Sequence, residues 1–112
     1  PMMGGAAPGA DFPVLKQNNG LLLLSKAAAV LPEPSACIRC GRCIEACPMG
    51  LEPVAIAEAF NNKDFDVLKA RCVDLCVACG SCSYACPAKR PVSQTMTLAK
   101  GWYMGELRKG GK

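Results

Sequence analysis

The chain reads as mainly α-helical: a small helical domain wrapped around two cysteine loops and preceded by a short β-hairpin extension. Three observations predict this. Two runs, CIRCGRCIEACP and CVACGSCSYACP, repeat one cysteine spacing 39 residues apart. The segments between and after them place apolar residues three and four apart, the period of a helix. Ahead of them, two apolar stretches flank an Asn-Gly pair, a strong short-range hairpin signal.

Residues 1–10 (PMMGGAAPGA) are small and turn-rich and read as loop. DFPVLKQ and GLLLLS follow as the two arms of the hairpin, separated by Asn18, Asn19 and Gly20. Two strands do not stand alone in water, so the hairpin is expected to belong to a neighbouring domain. Pro32, Glu33 and Pro34 form a stiff linker, which sets the expected boundary: 1–33 as tail and linker, 34–112 as the helical domain. Between the cysteine runs lie 28 residues, Pro48 to Leu75. Pro53 suits the first position of a helix, where its missing N–H costs nothing. Pro53, Ile56 or Ala57, and Phe60 then share a face, and Asn61 and Asn62 end the helix. Asp64 is the expected cap of a second helix, on which Phe65, Leu68, Cys72 and Leu75 follow at 3-4-3 spacing. A third helix is expected from about Pro91 to Leu107. Its stripe is Val92, Met96, Ala99, Tyr103 and Leu107, weakened by Gly101 and Gly105.

The cysteines point to one chemistry. Cys37, Cys40, Cys43 and Cys47 stand at C-x2-C-x2-C-x3-C with Pro48 next, and Cys76, Cys79, Cys82, Cys86 and Pro87 repeat the pattern. This is the run by which bacterial dicluster ferredoxins hold [4Fe–4S] clusters. Three closely spaced thiolates on one loop cap three irons of a cube, and the fourth iron is reached from elsewhere. In dicluster proteins with this run the fourth cysteine serves the other cluster. Cluster I would then take Cys37, Cys40, Cys43 and Cys86, and cluster II would take Cys76, Cys79, Cys82 and Cys47. Gly41 and Gly80 follow the second cysteine of each run. Without a Cβ they can take positive φ and bring N–H groups close to sulfur, which helps set a potential. Pro48 and Pro87, with fixed φ and no amide donor, orient the fourth thiolate.

Other uses of cysteine fit less well. A disulfide framework suits a short secreted chain, but nine is an odd number and no signal-peptide pattern is visible. Zinc sites usually pair two well-separated C-x2-C knuckles, and the chain has no histidine, which excludes Cys2His2 zinc and Rieske-type ligation. Cys72 is the ninth cysteine. It reads as a buried small apolar residue on the Phe65–Leu75 stripe, with a role as an alternative ligand as the rival. Tyr84 and Trp102 read as packing residues and not as electron relays.

At 112 residues the chain is one modest domain plus an extension, with a core that bound metal would have to reinforce. Its formal charge of +4 treats the cysteines as neutral. Eight bound thiolates and two Fe4S4 cores of about +2 each would subtract roughly 4. The basic balance is therefore no argument for nucleic acid. Leu21 to Leu31, the longest apolar stretch, is interrupted by Ser25 and Lys26 and is far short of the roughly 18 apolar residues a membrane span needs. The opening at Pro1 and the unlike first thirty residues suggest a piece of something longer. Arg39 and Arg42 lie inside the first cysteine loop, and Lys89 and Arg90 follow Cys86. The second loop has Val77, Ala78 and Ser81 in the matching stretch, with Asp74 just before it. Cations favour the reduced form, so cluster I is expected to have the higher potential and a basic rim facing an acidic partner surface.

With PMMGG, FPVLK, NNGLLLL, CIRCGRCIEACPMGLEP and CGSCSYACPAKRP all in order, the chain resembles the C-terminal part of the C subunit of the Rnf complex. That complex is an ion-translocating, membrane-bound ferredoxin:NAD+ oxidoreductase. The resemblance covers essentially the whole chain. It implies that residues 1–33 are the tail of an upstream β-grasp (soluble-ligand-binding) domain plus linker, and that 34–112 form the two-[4Fe–4S] helical ferredoxin domain. It implies a peripheral subunit on the cytoplasmic face of the inner membrane. FMN and NAD(H) are expected only on the upstream part, since no Gly-rich fingerprint stands in these residues. By the same resemblance, single electrons pass between that flavin and the iron–sulfur B subunit. The resemblance also implies that the enzyme couples this flow to Na+ or H+ transport and that the membrane subunits are partners. The segment itself is an electron relay with no catalytic residue, inside a translocase. A cobalamin reductase of propanediol-utilisation microcompartments shares the domain order and stands as the alternative. A purely structural iron–sulfur module and a zinc-bound interaction domain are the remaining rivals.

Overall fold

In the computed structural model, which describes residues 7–110, the regular elements are all helical. In chain order they are α1 (Lys26–Ala29), α2 (Arg42–Glu45), α3 (Pro53–Asn61), α4 (Phe65–Ala70), a 3-10 turn (Val73–Leu75), α5 (Ser81–Ala85) and α6 (Val92–Gly110). Local chemistry accounts for the longer ones. Pro53 opens α3, whose Pro53, Ile56 and Ala59 turn inward. The helix closes with two reciprocal bonds, Lys63 N–H to the Phe60 carbonyl (3.1 Å) and Asp64 N–H to the Ala59 carbonyl (2.9 Å). Lys63 takes a left-handed φ of 56° to make that Schellman end. Asp64 then caps α4, its carboxylate accepting from the Val67 N–H at 3.1 Å. In α6, Met96, Ala99 and Tyr103 are buried as the stripe predicts, while Leu107 is left partly in solvent. Gly101 and Gly105 do not break the helix, and a Cβ added at either would meet no atom within 4 Å.

α6 lies across α3, α4 and the 3-10 turn, while α2 packs on α5. Ile56, Leu68, Val73, Met96 and Ala99 form the driest part of the core. An aromatic group seals one end of it. Phe65 stacks on Tyr103 at 4.9 Å, Trp102 stands edge-on to Phe60 and Phe65, and the Lys63 ammonium lies 3.8 Å over the Phe60 ring. Trp102 therefore packs, whereas Tyr84 is exposed.

Two expectations are corrected. The first is the β-hairpin, since there is no strand among the described residues. The chain does turn, with the Asn18 N–H donating to the Leu15 carbonyl at 2.9 Å and the Asn18 side chain accepting from the Leu15 N–H. Gly20, however, is not among the positive-φ glycines, so the tight Asn-Gly turn that matches strand twist does not form. Leu21 to Leu24 are 65–98% exposed. Two arms with no third layer to bury them gain too little to pair. Ser25 instead caps the short α1, which the sequence pattern does not foretell, by accepting from the Ala28 N–H at 3.3 Å. The loop expected over 1–10 lies partly outside the described residues.

The second correction concerns Cys72. It is exposed, not buried on a stripe, because α4 ends at Ala70 and Cys72 adopts φ 51°. That left-handed residue shifts the inward face by one position. Val73 goes fully into the core and Leu75 is left 48% exposed.

Candidate iron–sulfur site

The two cysteine loops are built on the same backbone. Arg39, Gly41 and Gly50 have positive φ in the first, and Ala78, Gly80 and Lys89 in the second. Each pair is separated by the 39 residues that separate the cysteine runs. Gly41 (φ 78°) and Gly80 (φ 81°) begin α2 and α5, as their lack of a Cβ allows. The left-handed residues coil the chain so that backbone donors face sulfur. The Arg39 N–H lies 3.4 Å from Cys37 Sγ, and the Leu51 N–H lies 3.4 Å from Cys47 Sγ. Such donors favour negative charge on sulfur. The third cysteine of each run, Cys43 or Cys82, is carried on the short helix and buried.

The approach to the first loop is tied to the exit from the second. Ser35 N–H donates to the Ala88 carbonyl at 2.9 Å, and the Arg90 guanidinium donates to the Ser35 carbonyl at 3.2 Å. This cross-tie brings Cys86 beside the first loop. One cavity is lined by Cys37, Cys40, Cys43 and Cys86, together with Pro53, Val54, Ala57 and Val92. A second is lined by Cys76, Cys79, Cys82 and Cys47, together with Leu51, Pro53 and Met96. All eight cysteines of the two runs thus border a cavity, three from one run with the fourth from the other. Cys72 borders neither. Among the described residues, no three Cys, Asp or Glu side chains converge closely enough for a single ion. The thiols instead ring spaces with mostly apolar walls. A group with an iron at each of four corners fits that donor set better than one zinc ion does.

Burial pushes the Cys43 thiol up and raises Cys82 to about 11. Cys79 is lowered, chiefly by the Ser81 hydroxyl 3.4 Å away. Metal binding must therefore displace protons from the two buried thiols, which couples loading to pH. The charges are less one-sided than the loop sequences suggest. Arg39 pairs with Glu58 at 2.7 Å, both largely exposed, and Glu58 shares the wall of the first cavity with Arg90. The second cavity has no charged lining residue, but the Lys100 ammonium on α6 donates to the Cys76 carbonyl at 2.8 Å. Sequence reasoning missed Lys100. It stands next to Ala99 on the buried stripe, and nothing local connects it to a cysteine 24 residues earlier.

The 4Fe-4S dicluster domain family matches residues 36–90. The C subunit of the Na+-translocating ferredoxin:NAD+ oxidoreductase complex of Acetobacterium woodii is 44% identical over 110 residues, covering 98% of this chain and 25% of that protein. The C subunit of the ion-translocating oxidoreductase complex of Rhodobacter capsulatus is 43% identical over 101 residues, covering 90% of this chain and 20% of its own length. The C subunit of the proton-translocating ferredoxin:NAD+ oxidoreductase complex of Clostridium ljungdahlii is 49% identical over 53 residues, covering 47% and 12%. The chain thus spans a quarter or less of the length of these relatives. Two cysteine runs, a dicluster-domain match and relatives of one kind along nearly its whole length agree: the chain belongs to the family of C subunits of Rnf-type ion-translocating oxidoreductases, and it carries two [4Fe–4S] clusters.

Proposed function

We propose that this segment relays single electrons within a membrane-associated ferredoxin:NAD+ oxidoreductase coupled to Na+ or H+ transport. The observation that carries this reading is the lining of the two cavities. Each brings together four thiols, three from one run and one from the other. Cluster I is held by Cys37, Cys40, Cys43 and Cys86, and cluster II by Cys76, Cys79, Cys82 and Cys47. Bound this way, each cluster supplies reversible one-electron storage with no iron left open to substrate. The remaining work falls to the chain. Gly41 and Gly80 turn the loops, and the Arg39 and Leu51 amides donate to sulfur. Val54, Leu51 and Met96 wall the sites against water.

Residues 1–33 form the tail of a neighbouring β-grasp domain and its linker, and 34–112 the ferredoxin domain. FMN and NAD(H) bind on the upstream part of the subunit. The iron–sulfur B subunit and the membrane subunits are the partners, and the subunit sits at the cytoplasmic face of the inner membrane. In keeping with a peripheral position, no helix among the described residues is long and apolar enough to cross a membrane.

Anaerobic purification with iron and sulfide analysis, then dithionite reduction followed by EPR, tests the reading. Two clusters that reduce and reoxidise are expected, and clusters that do not cycle would sink the relay. Cys86→Ser tests the exchange of fourth ligands. It should perturb the cluster held by Cys37, Cys40 and Cys43, and a change confined to the other cluster refutes the assignment.

A further inference from the structure

Lys100 projects from the middle of α6, half-buried, to the backbone of the second cysteine loop, where its ammonium donates to the Cys76 carbonyl at 2.8 Å. A lysine ordinarily extends its charge into water, and here the charge is fixed beside the first cysteine of a run. No carboxylate pairs with it among the described residues. Asp74 borders the same shallow depression as Lys100 and Cys76, yet no ion pair joins the two among the described residues. The wall of the second cavity itself carries no charged residue. The first cavity differs, since Arg90 shares its wall with Glu58, which also holds Arg39.

We propose that Lys100 is a positioning residue that raises the potential of the second cluster by fixing a positive charge against Cys76. The proposal rests on the relay reading and assigns a role that reading leaves open. Reduction places one more negative charge on the second site, and a cation held one carbonyl from a ligand stabilises that charge. Partial burial protects the interaction from the screening that weakens exposed Arg39 and Arg42. The sequence alone put the favourable charge on the first loop. The contacts put the fixed and unpaired one on the second.

The test is an EPR-monitored dithionite titration of the full subunit as wild type, Lys100→Gln and Lys100→Arg. In Lys100→Gln one of two midpoints should fall while the other stays. The moved signal should be the one that Cys82→Ser also disturbs. Lys100→Arg, which keeps the charge, should restore the wild-type value. Unmoved midpoints, or an Arg variant shifted as far as the Gln variant, overturn the proposal. Should Lys100→Gln fail to assemble both clusters, Asp74→Asn tests the same field from the opposite side. Removing that carboxylate should raise the same midpoint alone, and no shift there overturns the proposal. Wild-type protein with fewer than two clusters would refute the relay reading instead.

Discussion

Ile56→Ala should open the domain far more often and so expose its clusters. Ile56 is fully buried on the inward face of α3, in the core cluster with Leu68, Met96 and Ala99. Truncation removes three carbons, worth about 2.4 kcal/mol at roughly 0.8 kcal/mol each. The space left behind adds about 1 kcal/mol if some 40 Å³ stays unfilled, at roughly 24 cal/mol per Å³. A total of about 3 kcal/mol multiplies the open population by on the order of 10²-fold at 25 °C. Cluster loss is irreversible, so a melting temperature would report a rate and not an equilibrium. The suitable assay is anaerobic bleaching of the clusters' visible absorption by an iron chelator, under conditions where reclosing outpaces capture. The bleaching rate then tracks the open population, and Ile56→Ala should bleach on the order of a hundred times faster than wild type. Val67→Ala is the control. Val67 is 37% exposed on α4, and its variant should stay within roughly fivefold of wild type, which corresponds to about 1 kcal/mol. Equal rates for Ile56→Ala and wild type would show that the helical core does not guard the clusters.

Gly101→Ala should slow the same bleaching by up to about fivefold, since a Cβ there meets nothing and alanine is favoured over glycine by about 1 kcal/mol inside a helix. Gly41→Ala should do the reverse by a similar or larger factor. Its Cβ would also meet nothing within 4 Å, but φ is 78°, which costs a side-chain-bearing residue about 1–2 kcal/mol. Asp64→Ala removes the cap on α4 and should cost about 1 kcal/mol, measured by the same rate. Glu58→Gln should leave stability within about 0.5 kcal/mol, because its ion pair with Arg39 is exposed. It should also raise one EPR-resolved midpoint by releasing the cations around the first cavity.

The features legible in the sequence are those whose cause is local or strictly periodic. Pro53 marks a helix start through its fixed φ and missing N–H, Asp64 through a bond within one turn, and both mark them correctly. Cysteine spacing shows which thiols are available because three of each four come from one short loop. Cys72 misleads because 3-4-3 spacing continues through a residue whose backbone turns left-handed, and no side-chain property of cysteine reports that φ. Lys89 is left-handed for a reason visible only on aligning the second loop with the first, where Gly50 stands in its place, whereas Ala78 aligns with Arg39 and neither side chain reports its φ. The hairpin fails because an Asn-Gly signal describes a turn, whereas strand pairing depends on a buried face that Leu21 to Leu24 lack. Lys100 is invisible for the complementary reason. Its partner is a main-chain carbonyl, which no sequence pattern singles out.

The interleaved lining of the two cavities has a consequence for how such a chain could arise. Under the proposed exchange of fourth ligands, a half-length chain with one run of four cysteines would lack the last thiol of its cube. It would need the fourth thiol of a second copy, and two copies exchanging thiols about a twofold axis would fill both sites at once. Joining the copies end to end replaces that encounter with closure inside one molecule, at an effective concentration in the mM range for a short connection. The three left-handed positions recurring at one fixed offset are what a duplicated cysteine loop would leave behind. Once fused, the halves are free to diverge. The second loop carries Lys89 where the first carries Gly50, and the Lys100 ammonium attends only one of the two sites.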